Sequence, residues 1–114
     1  MNRFAALVVA ASMTVPAVAM AQSPSAAREY ARAEKAFDDG DHAEALRLFR
    51  QLAHTQQSPN ALFMAGRCLL ALGRHVEAFE TMAATVQLAT ERSQDNDRYA
   101  KTRAAAGAQQ AAIA

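Results

Sequence analysis

Gly40-Asp41-His42-Ala43-Glu44-Ala45-Leu46 and Gly73-Arg74-His75-Val76-Glu77-Ala78-Phe79 are the two stretches that decide the fold. Gly, His, Glu and Ala recur between them at an offset of 33, and Leu46 corresponds to Phe79. The same offset continues upstream, where Tyr30, Ala33 and Phe37 correspond to Phe63, Gly66 and Leu70. A match that runs through a turn and into the segments on both sides is an internal repeat, not a coincidence of composition.

Outward from these stretches the chain reads as helices. From about Ala26 to Asp38 the apolar positions have helical spacing, with Ala33 between Tyr30 and Phe37. Asp38-Asp39-Gly40-Asp41 ends that helix, because glycine takes the left-handed conformation a helix end needs. Asp41 opens the next helix as a cap, and Glu44, three residues on, predicts a capping box. Leu46, Phe49 and Ala53 form its stripe. Ser58-Pro59 restarts the pattern, a hydroxyl cap followed by proline where no N–H is needed. Leu62, Gly66, Leu69 and Leu70 form the third stripe; Val76, Phe79, Met82, Ala83 and Val86 form the fourth. A polar break at Glu91 to Asp97 precedes an alanine-rich last segment, Arg98 to Ala114. No segment alternates as a strand does. Five helices joined by short turns predict antiparallel neighbours in an all-α fold.

The N-terminus has a different character. Met1-Asn2-Arg3 is a short positive start, Phe4 to Val15 is almost wholly apolar, and Pro16 breaks it. Ala19-Met20-Ala21 then offers small-x-small residues, so residues 1–21 read as an export signal cleaved after Ala21, with cleavage after Ala19 as second choice. The apolar run is short for a membrane span, which predicts no stable membrane insertion after cleavage and a periplasmic or otherwise exported product. The remainder, 22–114, is one domain: a repeat over 26–58, a repeat over 59–92 and a capping helix over 94–114. Removing residues 1–21 takes away only Arg3 and leaves a neutral remainder, so no basic patch argues for nucleic acid. Cys68 is the chain's single cysteine and has no internal disulfide partner.

The repeat resembles the tetratricopeptide repeat (TPR) family, and with its leader the chain resembles exported bacterial TPR proteins. In that family a small residue sits mid-way along the first helix, a glycine closes the turn, and an alanine marks where the second helix crosses the first, with a large apolar residue four later. Here these are Ala33 and Gly66, Gly40 and Gly73, Ala45 and Ala78, and Phe49 and Met82. The physical reason is distance, since helices approach closely only where side chains are small. The first copy departs, with Ala33 in place of the commoner glycine and Glu29 and Arg32 where apolar residues are usual. The resemblance implies a TPR-like α-solenoid of two antiparallel helix hairpins plus a C-terminal capping helix.

Catalytic parts are missing. His42 and His75 occupy the same repeat position and are explained by packing. Cys68 reads as a core thiol, and a helix break separates it from His75. Asp38, Asp39 and Asp41 suit a solvated turn better than acid–base work. The four glycines are scattered and form no phosphate cradle. No enzyme, metal or cofactor is therefore expected.

What remains is surface. The resemblance maps a protein-binding groove onto Tyr30, Glu34 and Phe37 of the first repeat and Asn60, Phe63, Arg67 and Leu70 of the second. The expected partner is a protein or peptide, an apolar segment held in charge register by Glu34 and Arg67. The competing reading is that Phe37, Phe63 and Leu70 pack between repeats. Two repeats are few, and the alanine-rich last helix covers apolar area weakly. That predicts a marginal monomer, or one completed by a partner or by homo-oligomerisation, with self-assembly in a cell-envelope complex as the alternative role.

Overall fold

The computed structural model describes residues 23–93 and 97–114, and the expected export signal lies outside them. The described residues form five α-helices and no strand: α1 (Pro24–Asp38), α2 (His42–Gln56), α3 (Pro59–Ala71), α4 (His75–Arg92) and α5 (Ala100–Ile113). The expected all-α fold of two hairpins and a terminal helix is the one observed.

The first helix of each hairpin starts by the same device. The Ser23 hydroxyl accepts from the Ala26 N–H at 3.0 Å, and that of Ser58 from the Ala61 N–H at 3.1 Å. Proline follows each cap, at a position whose N–H would have no helical partner.

Both hairpin turns are the same main-chain object. Gly40 and Gly73 have φ of +85° and +78°, a region nearly closed to side-chain-bearing residues. The Gly40 N–H donates to the Phe37 carbonyl (3.0 Å) and the Asp41 N–H to Ala36 (2.8 Å). In the second turn the Gly73 N–H donates to Leu70 (3.0 Å) and the Arg74 N–H to Leu69 (2.9 Å). This paired closure satisfies carbonyls that a helix end leaves open.

The expected capping box forms only by half. Asp41 accepts from the Glu44 N–H at 3.3 Å, but Glu44 does not reach back. The Asp41 N–H is already taken by the turn, and Glu44 instead accepts two bonds from Arg47, at 2.9 and 2.8 Å.

The helices stack in two rows. α1 packs on α2, α2 on α3, α3 on α4 and α4 on α5, with a lighter contact between α3 and α5. Phe49, Leu52, Leu69, Met82 and Cys68 fill the core. The last helix begins at Ala100, not further upstream. A turn in which the Ala100 N–H donates to Asp97 (3.0 Å) precedes it, and Tyr99, expected within the helix, stands just before it. Its N–H faces the Ser93 hydroxyl at 3.3 Å.

Candidate interaction face

The small residues at the hairpin crossings set the spacing of everything else. Ala33, Ala45 and Ala78 are wholly buried, as are Phe49 and Met82 four residues after the crossing alanines. A methyl group at Gly66 would lie 2.7 Å from Cε of Met82 and 3.1 Å from its Sδ, so α4 presses on α3 where the side chain is absent.

The rows are tied across the repeats by long side chains. Arg67 of α3 places its Cζ 4.9 Å from the Phe37 ring centroid in α1, a cation–π contact between the two first helices. Arg50 of α2 reaches Glu77 of α4 at 3.5 Å. Glu77 also takes two bonds of 2.8 Å from Arg74. The guanidinium of Arg74, then that of Arg50, holds the Glu77 carboxyl below the usual range; Arg47 does the same to Glu44. Arg92, at the far end of α4, donates to the Gln57 carbonyl at 3.2 Å.

The expected groove residues divide accordingly. Tyr30 is half-buried, edge-on to Phe49 with centroids 5.3 Å apart. Its phenol is pushed above its ordinary value, by burial first and then by the Glu34 charge. Phe37 is half-buried between the His42 ring, at 4.9 Å, and Arg67. Phe63 and Leu70 are half-buried on α3, and Leu70 packs against the core. Glu34, Asn60 and Arg67 are exposed. Asn60 accepts a hydrogen bond from the Thr102 hydroxyl of α5, a neighbour that nothing in the alanine-rich sequence signals. The geometry thus unites Phe37 with Arg67, keeps Tyr30 on its own hairpin, and gives Asn60 to the last helix.

The two histidines part company. His42 meets Phe37 edge to face, and its Nδ1 is buried with no hydrogen-bond partner among the described residues. His75 is exposed, so packing does not account for it. Cys68 is fully buried, and desolvation pushes its thiol up to about 11, leaving it neutral and unreactive near pH 7. Among the described residues no group of three His, Cys, Asp or Glu side chains is placed to hold a metal ion. No described helix is long and apolar enough to cross a membrane.

A family model, tetratricopeptide repeat, matches residues 36–106. The chain belongs to the tetratricopeptide repeat family. No curated protein and no solved structure matches it. The match runs from the end of α1 into α5, so the TPR pattern extends beyond the two hairpins into the last helix. TPR units are generally devices for holding other proteins, and the family is generally non-catalytic.

Proposed function

We propose that the chain is a non-catalytic interaction module exported to the periplasm, and that it holds a protein or peptide partner along the α1–α3 row. One observation carries this reading. The Phe37–Arg67 stack joins the first helices of the two repeats into one surface, while Glu34 and Arg67 stay exposed on it with opposite charge. An extended apolar segment would lie over Tyr30, Phe63 and Leu70, and the two charges would fix its direction. Residues 1–21 would act as the export signal, leaving a product that begins at Gln22.

The test is affinity capture from periplasmic extract on the wild-type chain beside Arg67→Glu, with circular dichroism to show that both are folded. A partner held by the first and lost by the second supports the reading. Identical sets on both columns, or a cell in which the protein retains Met1 and stays in the cytoplasm, would reject it.

A further inference from the structure

α5 continues the row of first helices. Gly66 is the eighth residue of α3 and Gly107 the eighth of α5, and each follows a wholly buried alanine, Ala65 and Ala106. α5 packs on α4 as α3 packs on α2, and the Thr102 hydroxyl donates to Asn60 of α3. In this register Lys101, Ala104 and Ala108 take the places that Asn60, Phe63 and Arg67 take on α3. All three are exposed, as is Ala111, which takes the place of Leu70. Bulky side chains on α1 and α3 thus give way to alanine on α5. Further repeats stacked on a solenoid lengthen such a face and do not cover it.

Charge is not shared evenly between the two rows. α3 and α5 carry Arg67, Lys101 and Arg103 and no Asp or Glu. α4, in the other row, carries Glu77, Glu80 and Glu91 against Arg92 alone. The arginines around the second helices are neutralised within the chain, Arg47 by Glu44, and Arg50 and Arg74 by Glu77. Among the described residues Arg67, Lys101 and Arg103 take part in no ion pair. Arg67 lies on Phe37 and donates to Sδ of Met64 at 3.7 Å, contacts that leave its charge unmet.

We propose that the part of the groove formed by α3 and α5 takes an acidic, apolar segment of a protein partner. Its side-chain carboxylates meet Arg67 and Lys101, and a bulky apolar residue between them lies over Ala104 and Ala108. This choice of occupant rests on the first-helix row being the binding face. Charge complementarity carries it: the two cations have no acid of their own, and a partner that covers them has to supply one. Two cations set among apolar side chains are too few to hold a phosphate chain. Glu34, on α1, keeps the acidic stretch to the α3–α5 side and leaves the other end of the segment neutral or basic.

The chain has no tryptophan, so one placed in a peptide reports binding by its own emission. The probe is an end-blocked peptide of about eight residues, enough to cross two helices ~10 Å apart. It alternates leucine and glutamate around a central tryptophan and is titrated into the whole chain. Saturable binding is expected, weakened about tenfold by Lys101→Glu and as much by Arg67→Glu. Lysine in place of glutamate in the peptide abolishes it, and serine in place of leucine weakens it. Arg47→Ala, on α2, leaves it unchanged. Circular dichroism shows that each variant is folded; if Arg67→Glu is not, Arg67→Met, which keeps an apolar contact with Phe37, replaces it. Absence of saturable binding overturns the proposal, as does equal binding of the lysine peptide. So does a single-stranded oligonucleotide that binds as tightly, since anions alone would then suffice. A periplasmic partner lost in Arg67→Glu but kept in Lys101→Glu leaves the groove reading standing and removes the acidic occupant.

Discussion

The two hairpins share one main chain and solve its side-chain problems differently. Both turn through a left-handed glycine with the same pair of hydrogen bonds. The first then caps α2 with Asp41; the second has Arg74 there, with no side-chain cap, and uses it to clamp Glu77. At the crossing, the first repeat has alanine and phenylalanine where the second has glycine and methionine, all of them buried. The difference teaches which parts are fixed. Backbone conformation at the turn admits one solution, whereas the cap and the crossing pair vary so long as donors are met and volume is filled.

The largest effect should come from the crossing. Phe49→Ala is expected to cost about 4 kcal/mol in urea unfolding, because Phe49 is fully buried and also supports Tyr30. Met82→Ala should cost about 3 kcal/mol. In that background Gly66→Ala should become stabilising by about 1 kcal/mol, since the methionine that blocks a methyl is gone and only helix propensity remains. A Gly66→Ala effect of the same size in both backgrounds would break the proposed pairing.

Next come the turns. Gly40→Ala and Gly73→Ala should each lose about 1–2 kcal/mol, and by nearly equal amounts, because both backbones are left-handed and neither site is crowded. Unequal losses would show that the turns are not equivalent. The caps follow: Asp41→Ala should lose about 1 kcal/mol, while Arg74→Ala should barely move the melting temperature, having no cap to lose.

The smallest expected effect is with acid. The Glu44 and Glu77 carboxyls titrate lower in the folded chain than in the unfolded one. Their contribution is thus complete above the usual carboxylate range and fades as pH falls through the lowered values. Glu77→Gln should flatten that acid limb slightly more than Glu44→Gln, since Glu77 loses two arginine partners and Glu44 one. The reverse order would discount the Arg50 contact.

Much of this was legible in the sequence because it rests on local chemistry. Ser58-Pro59 and the two turn glycines announce their roles to any reader of caps and turns. The repeated glycine and alanine positions announce close crossings. The fate of Glu44 was not legible, because the turn and Arg47 compete for the groups a capping box would use. Nor was the divergence of His42 from His75. One lies under Phe37, while the other stands at the margin of the stack, and identical repeat positions do not report what the next element covers. The role of α5 was hidden for a related reason. Its alanines give no apolar period, so its register with α3 emerges only from the buried Ala106 and the placement of Gly107. For the expected groove residues, the sequence does not report which of them pair with one another. Phe37 with Arg67 is a contact between repeats, and its distance depends on how α3 settles on α2.

Gln57 joins the hairpins at φ +48°, the only described residue other than glycine with a positive φ. Its side-chain amide donates back to the His54 carbonyl at 2.9 Å, and its own carbonyl receives Arg92. In a solenoid the pitch accumulates at such joints. Here the joint is held from two sides by side-chain hydrogen bonds, so Gln57 acts as an elbow that biases the angle between the hairpins.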